Sequence, residues 1–238
     1  MKRERIWELD ALRGFCILCV IVVHTLFDLI FFYGAEISLP DWYVFVQQYG
    51  GVIFVILSGL CATLGSRSVT RGLVVFGFGM AISVVTAGMY FLGFAGRDVI
   101  VWFGVLHLLG ICMMLYPLYR RLSTPVLCAL AVVFVVTGYL FGHVTVTCPA
   151  LFPLGLTTAQ FTSSDYFPLL PHLGWYMLGT VLGRRFYRDQ KTLLPGSFSR
   201  SVAARFLCWC GRQSLWIYVA HQPIVYGVLE LIWLLRSK

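Results

Sequence analysis

The sequence predicts an all-α membrane protein: a polytopic transmembrane helix bundle of about seven spans, in a single domain covering residues 1–238, with its N-terminus in the cytoplasm. Three observations predict it. Hydrophobic residues make up 59% of the chain and charged residues only 12%, where soluble domains are nearer a quarter charged. The apolar residues gather into runs of about 20, the length that crosses a ~30 Å hydrocarbon core. The basic residues fall on alternate loops, as the positive-inside rule requires of a multi-pass chain.

The first apolar segment covers residues 12–33 and follows Lys2, Arg3 and Arg5. It is too long for the core of a signal peptide, contains charges and lacks a small-x-small cleavage site, so it is expected to stay as a span. Further segments cover residues 44–65, 73–93, 99–119 and 126–142. The sixth, 167–183, is short and carries Pro168 and Pro171 near its start. The seventh, 214–235, has Pro223 in its middle. Proline removes a backbone donor and bends a helix, and broken helices inside a membrane line buried or watery spaces.

Arg67, Arg71, Arg120, Arg121 and the basic stretch from Arg184 to Arg212 share one side with the N-terminal cluster. The opposite loops hold Arg97 with Glu36, Asp41, Asp98 and Asp165, while Arg236 and Lys238 fall outside this pattern. The net charge of +8 therefore faces anionic lipid, which explains the basic stretch without nucleic acid. Apolar outer faces can meet lipid or a second copy of the chain. Cys16, Cys19, Cys61, Cys112 and Cys128 lie within apolar spans and act as small hydrophobes. Cys148 stands alone in an outer loop, and Cys208 and Cys210 offer too few ligands for a metal, so none is expected. Residues 143–166 form the longest outer loop, either an ordinary connection or a cover over a site. No internal repeat is visible, which weakens a transporter built on inverted repeats.

The first span has a polar face. Arg13 and His24 are eleven residues apart, so they differ by only ~20° around the axis and ~16 Å along it. Asp28 follows His24 by one turn, and Asp10 precedes Arg13 by one turn and can pair with it. Gly14, beside Arg13, lets another backbone or a ligand come close. Burying such groups costs several kcal/mol unless they are paired or meet water, so they should face the bundle interior. They form either an ion-pair network that fixes packing or a functional site.

Depth brings other residues to the same level. Counting helical rise, His24 lies ~18 Å from the inner end of its span, and His107 reaches the same depth on the fourth. His221 approaches the middle from inside, and His172 lies closer to the outer face. Four of the five histidines are thus intramembrane, which favours a shared polar cavity over isolated interhelical bonds. Ser58 and Gln222 are further candidates to line it.

These residues sit in blocks that resemble a known family. RIWELDALRGFCILCVIVVHTLFDL (residues 5–29) is similar to the first helix of bacterial proteins with the heparan-α-glucosaminide N-acetyltransferase catalytic domain. That group resembles the wider transmembrane acyltransferases, including the acyltransferase-3 enzymes, whose mark is an Arg, ten residues, then a His. FVILSG, FGVLHLLG, DYFPLLPHLGWYMLG and SLWIYVAHQP, ending at Pro223, follow in the family's order. The family's lysosomal heparan enzyme has Asn where His24 stands and its proposed active His later, whereas FFYGAEISL (residues 31–39) has none. His24 is therefore closer to the acyltransferase-3 arrangement.

The resemblance implies an integral-membrane enzyme of a bacterial-type plasma membrane. It implies acetyl-CoA as cytoplasmic acyl donor and a glycan or amino-sugar hydroxyl or amine as acceptor on the far side. Carried onto this chain, His24 would be the catalytic histidine, and Arg13, with Asp10 and Gly14 beside it, would bind the phosphorylated end of the donor. Asp28 could then orient His24 as triad carboxylates do, and Ser58, His107, His172 and Gln222 are candidate donors to a tetrahedral oxyanion. His24 would act as general base, with a covalent acetyl-His as the second route. A transporter or flippase with a polar cavity, and a non-catalytic scaffold, are the rival classes.

Overall fold

A computed structural model describes residues 5–31 and 33–236. Lys2, Arg3 and Lys238 of the charge pattern lie outside the described residues. The described chain is helical: α1 (Trp7–Phe31), α2 (Asp41–Ala62), α3 (Ser68–Phe91), α4 (Val105–Tyr119), α5 (Thr124–Phe141), α6 (Leu169–Phe186), α7 (Val202–Arg212) and α8 (Ser214–Arg236). Short 3-10 turns occur at Arg97–Val99, Pro149–Leu154 and Phe198–Arg200. Extended pairing among the described residues is limited to isolated bridges between Phe103 and Tyr166 and between Thr145 and Thr157.

Each of the seven apolar segments holds a helix. Five helices (α1, α2, α3, α5 and α8) are long and apolar enough to cross a membrane, and α4 is a shorter apolar one. A helix satisfies its backbone internally, which is what a lipid environment demands. Val84, Val85, Leu118, Val132, Val133, Val136 and Tyr139 are more than half exposed on helix surfaces, as side chains that meet lipid must be.

Two boundaries differ from expectation. The fourth span does not run as a helix from residue 99. Residues 100–104 are extended, and side chains take over the work of a helix ladder: Val101 N–H donates to Thr86 Oγ1 (3.1 Å), Trp102 N–H to Ser163 Oγ (3.2 Å) and Val105 N–H to Asp165 Oδ2 (3.1 Å). Helix α4 starts only after Gly104. The second difference is α7, within what reads as a basic loop. Ser201 caps it, accepting Ala204 N–H on its hydroxyl at 3.1 Å. One face of α7 buries Ala204, Cys208 and Gly211, while Val202, Phe206 and Trp209 stay exposed.

The chain forms two compact units. The first takes in Met1–Phe54 and Asp189–Lys238, and within it α1 packs along α7 and α8. The α1–α7 crossing is made by glycine. A methyl group on Gly14 would collide with the Leu207 carbonyl, and one on Gly211 with the Asp10 carbonyl. The two backbones are therefore in direct contact, the arrangement small residues permit between membrane helices.

The second unit takes in Val55–Arg188. There α3 packs on α4 and α5 on α6, around Val55, Leu57, Leu108, Cys112, Leu127, Tyr176 and Met177, all nearly without exposure. Gly72 of α3 faces Gly110 of α4 in the same backbone-to-backbone manner. Helix α6 begins with a kink at Leu170, so Pro168 and Pro171 mark its start rather than a break in its middle. Helix α8 runs without interruption through Pro223.

Candidate functional site

The first unit holds the polar face of α1. Helices α1 and α8 run parallel, since Arg13 pairs with Ser214, Asp28 with Gln222 and Tyr33 with Glu230 in rising order. The result is a seam of polar side chains between two apolar helices.

Arg13 stands at its start. Nη2 donates to Ser214 Oγ at 3.0 Å, while Nε is buried with no partner. The expected ion pair with Asp10 is absent among the described residues: Asp10 pairs with Arg5 at 3.9 Å, while the Arg13 guanidinium bonds the hydroxyl that opens α8. The room beside Gly14 is filled by the α7 backbone, so a neighbouring helix, and no ligand, makes use of it.

About three turns farther along, His24 meets His221. Their ring centroids are 5.1 Å apart, edge to face at 64°. His221 is 6% exposed, and its Nδ1 lies 2.5 Å from the Tyr218 carbonyl oxygen. A carbonyl only accepts, so Nδ1 carries the hydrogen and Nε2 carries the lone pair. That Nε2 is buried without a partner. Pro223, with no N–H, leaves the Val219 carbonyl without its helical donor, and the His221 Nδ1–H goes to the neighbouring Tyr218 carbonyl.

Asp28 is 1% exposed. Its two carboxylate oxygens accept Gln222 Nε2 at 3.2 and 2.9 Å. The expected hydrogen bond from His24 to Asp28 is absent among the described residues, where the carboxylate accepts from the Gln222 amide of α8. At the far end Tyr33 Oη donates to Glu230 Oε2 at 3.0 Å, and the Tyr33 ring lies 5.7 Å from that of Trp233.

The second unit holds Ser58, His107 and His172. Ser58 is buried on α2. His107 lies in the first turn of α4, because the helix starts only after Gly104. Its Nδ1 accepts Gly104 N–H at 3.2 Å and so caps the helix. Its Nε2–H is then the donor to Ser83 Oγ at 3.3 Å, and Ser83 passes its own hydrogen to the Val101 carbonyl at 2.6 Å. Phe76 and Phe103 flank the ring at 5.5 Å. Both nitrogens are committed to holding the residue 100–105 turn. His172 sits in the first turn of α6, its Nδ1–H donating to the Pro168 carbonyl at 2.8 Å.

The outer loop of this unit is ordered by similar bonds. Tyr166 Oη donates to the Phe152 carbonyl at 2.6 Å, and burial pushes its phenol up to about 12. In α7, burial likewise raises the thiols of Cys208 and Cys210, and Cys208 Sγ donates to the Trp7 carbonyl at 3.2 Å. These are neutral packing thiols. Among the described residues, no group of three or more side chains could hold a metal ion.

Sequence reasoning missed Ser214, Tyr33 and Glu230. Glu230 had a signal, being a lone acid in the apolar stretch GVLELIWLL. Ser214 had none, since a serine at a helix start is ordinary.

The catalytic-domain model described as "Heparan-alpha-glucosaminide N-acetyltransferase, catalytic" matches residues 5–223. Comparison with curated proteins and with solved structures gives no match. The matched stretch runs through both units and contains the seam from Arg13 to Gln222, together with His107 and His172. A match over most of the chain, on a helical membrane fold, decides the matter: this chain belongs to the heparan-alpha-glucosaminide N-acetyltransferase catalytic family, a family of transferases.

Proposed function

We propose that the chain is an integral-membrane acyltransferase that moves an acetyl group from cytoplasmic acetyl-CoA to an amine or hydroxyl of a sugar on the far side of the membrane. The whole chain acts as one catalytic domain, since the family match runs through both compact units. The observation that carries the reading is the α1–α8 seam, which sets a cation and an imidazole on one face of α1 and gives each a neighbour from α8.

Arg13 is the donor-binding residue. Its guanidinium has several N–H groups, and among the described residues only Ser214 accepts from it, with Nε buried and unpaired. A buried unpaired donor is costly, and phosphate oxygens on the donor's nucleotide end satisfy it through charge-assisted bonds. Bound acetyl-CoA supplies the activated acyl carbon as a thioester. His24, ~16 Å farther along the same face, accepts the proton of the attacking amine or hydroxyl. The acyl carbon exchanges its bond to sulfur for one to nitrogen or oxygen, and the departing thiolate takes up a proton.

The loop charges support the sidedness: counted along the alternating spans of the sequence, Arg67, Arg71, Arg120, Arg121 and the basic stretch before α8 are assigned the same side as the N-terminus, which the positive-inside rule assigns to the cytoplasm. A bacterial-type plasma membrane fits this arrangement.

The test is turnover by the purified full chain in nanodiscs. Supplied with acetyl-CoA and a glucosamine-terminated acceptor, it should release free CoA thiol in step with acetylated acceptor. Solute movement across a vesicle membrane with no thioester consumed would instead make the protein a transporter.

A further inference from the structure

We propose that His221, not Asp28, is the residue that orients His24 and stabilises it once it has taken up the acceptor's proton. The inference rests on the proposed role of His24 as base.

An imidazole that works as a base through one nitrogen carries an N–H on the other, and that N–H needs an acceptor, most of all once the ring is protonated and charged. One turn away on α1, Asp28 has the spacing for this task. Its carboxylate is held by the Gln222 amide through both oxygens, and among the described residues no bond reaches it from His24. The ring that does face His24 is His221, 5.1 Å away between centroids and edge to face.

The tautomer of His221 is set by the fold. The Nδ1–H donates to the Tyr218 carbonyl, so Nε2 must present a lone pair. That lone pair is buried and unpartnered in a residue that is 6% exposed. Among the described residues His24 makes no ring hydrogen bond of its own; its neighbour is the His221 ring. A buried acceptor with nothing to accept, beside a ring whose N–H needs an acceptor, is a matched pair. Hydrogen bonds of this kind are often open in a free enzyme and close in the reacting complex.

The proton balance is simple. As the acceptor attacks, its proton moves to the free lone pair of His24. The opposite N–H of His24 closes onto His221 Nε2, and the positive charge is held between two imidazoles. No proton passes to Tyr218, whose carbonyl only keeps His221 from turning over. His24 returns its proton to the departing thiolate, and both rings recover their starting state.

The experiment compares His221→Leu with His221→Gln in the full chain in nanodiscs, with His24→Ala as reference. Glutamine offers an N–H for the Tyr218 carbonyl and an oxygen for His24, whereas leucine offers neither. His221→Leu should lower kcat about 100-fold or more, while KM for acetyl-CoA changes less than about threefold because Arg13 is untouched. His221→Gln should restore kcat to within about tenfold of the parent. Equal kcat for the leucine, glutamine and parent proteins overturns the inference. So does equal loss in both variants when both unfold at the parent's temperature, since a shape requirement alone then accounts for it. If leucine fails to fold, the glutamine variant decides alone: retained turnover supports the inference and loss of turnover overturns it. Full turnover by His24→Ala removes the base itself and so marks a failure of the catalytic proposal, not only of this pairing.

Discussion

Arg13 Nη2 donates to Ser214 Oγ at 3.0 Å, joining the polar start of α1 to the first residue of α8 across 201 positions of sequence. The hydroxyl holds one edge of the guanidinium, and Nε is buried without a partner, the atom that the proposed donor binding would use. Arg13→Ala should therefore raise KM for acetyl-CoA at least about tenfold, with kcat within about threefold. Ser214→Ala should raise KM only about two- to fivefold, because it loosens the cation without removing it. Steady-state kinetics on both variants checks this, and an unchanged KM in Arg13→Ala would take donor binding away from that residue. Arg13→Lys should behave closer to alanine than to arginine, since a point charge cannot bond both Ser214 and a phosphate in the same fork.

The Asp28 carboxylate depends on one amide. Gln222→Leu leaves a 1%-exposed carboxyl without its donor, and should cost about 1–3 kcal/mol of stability. Asp28→Asn, which still accepts one bond from Gln222, should cost less. Thermal unfolding of the two variants in the same nanodisc gives the comparison. The order of the two reverses if Gln222 is a surface bystander.

The glycine crossing of α1 and α7 has a sharp internal control. Gly14→Ala and Gly211→Ala each drive a methyl into a carbonyl of the facing helix, where neither side can give way without a backbone shift. Each should destabilise by about 1–3 kcal/mol, and Gly14→Ala should also disturb donor binding by moving Arg13. Gly77, inside α3, has open space where its Cβ would be, so Gly77→Ala should be neutral or stabilise by about 0.5–1 kcal/mol. Melting curves read all three.

His107 tests how the second unit is to be understood. Both its nitrogens serve the turn before α4, one accepting from Gly104 and the other donating to Ser83. His107→Leu should lower stability by about 1–3 kcal/mol, while kcat per folded molecule stays within about threefold. Lost turnover with an undisturbed melting curve would assign His107 to the reaction.

The membrane helices were legible because lipid imposes one rule, a long apolar run, and each of the seven such runs holds a helix. What escaped the sequence was set by partners far along the chain. Helix α4 is shorter than its apolar run because Thr86, Ser163 and Asp165 satisfy the backbone of residues 101–105 from outside. Helix α7 was hidden by its arginines, though Ser201 followed by Ala204, Leu207, Cys208 and Gly211 carries the helical period. At the candidate site the face shared by Arg13, His24 and Asp28 follows from helical geometry alone. Their partners do not. Local spacing nominates Asp10 for Arg13 and Asp28 for His24, yet a parallel helix about 200 residues away supplies Ser214 and His221 instead.

The central claim is that His24 takes the acceptor's proton during acyl transfer, and a single-turnover measurement on His24→Ala tests it most directly. The variant should bind acetyl-CoA with near-parental affinity and transfer the acetyl group at least about 1,000-fold more slowly. Transfer at the parental rate, by a variant that folds and binds the donor, would contradict the account.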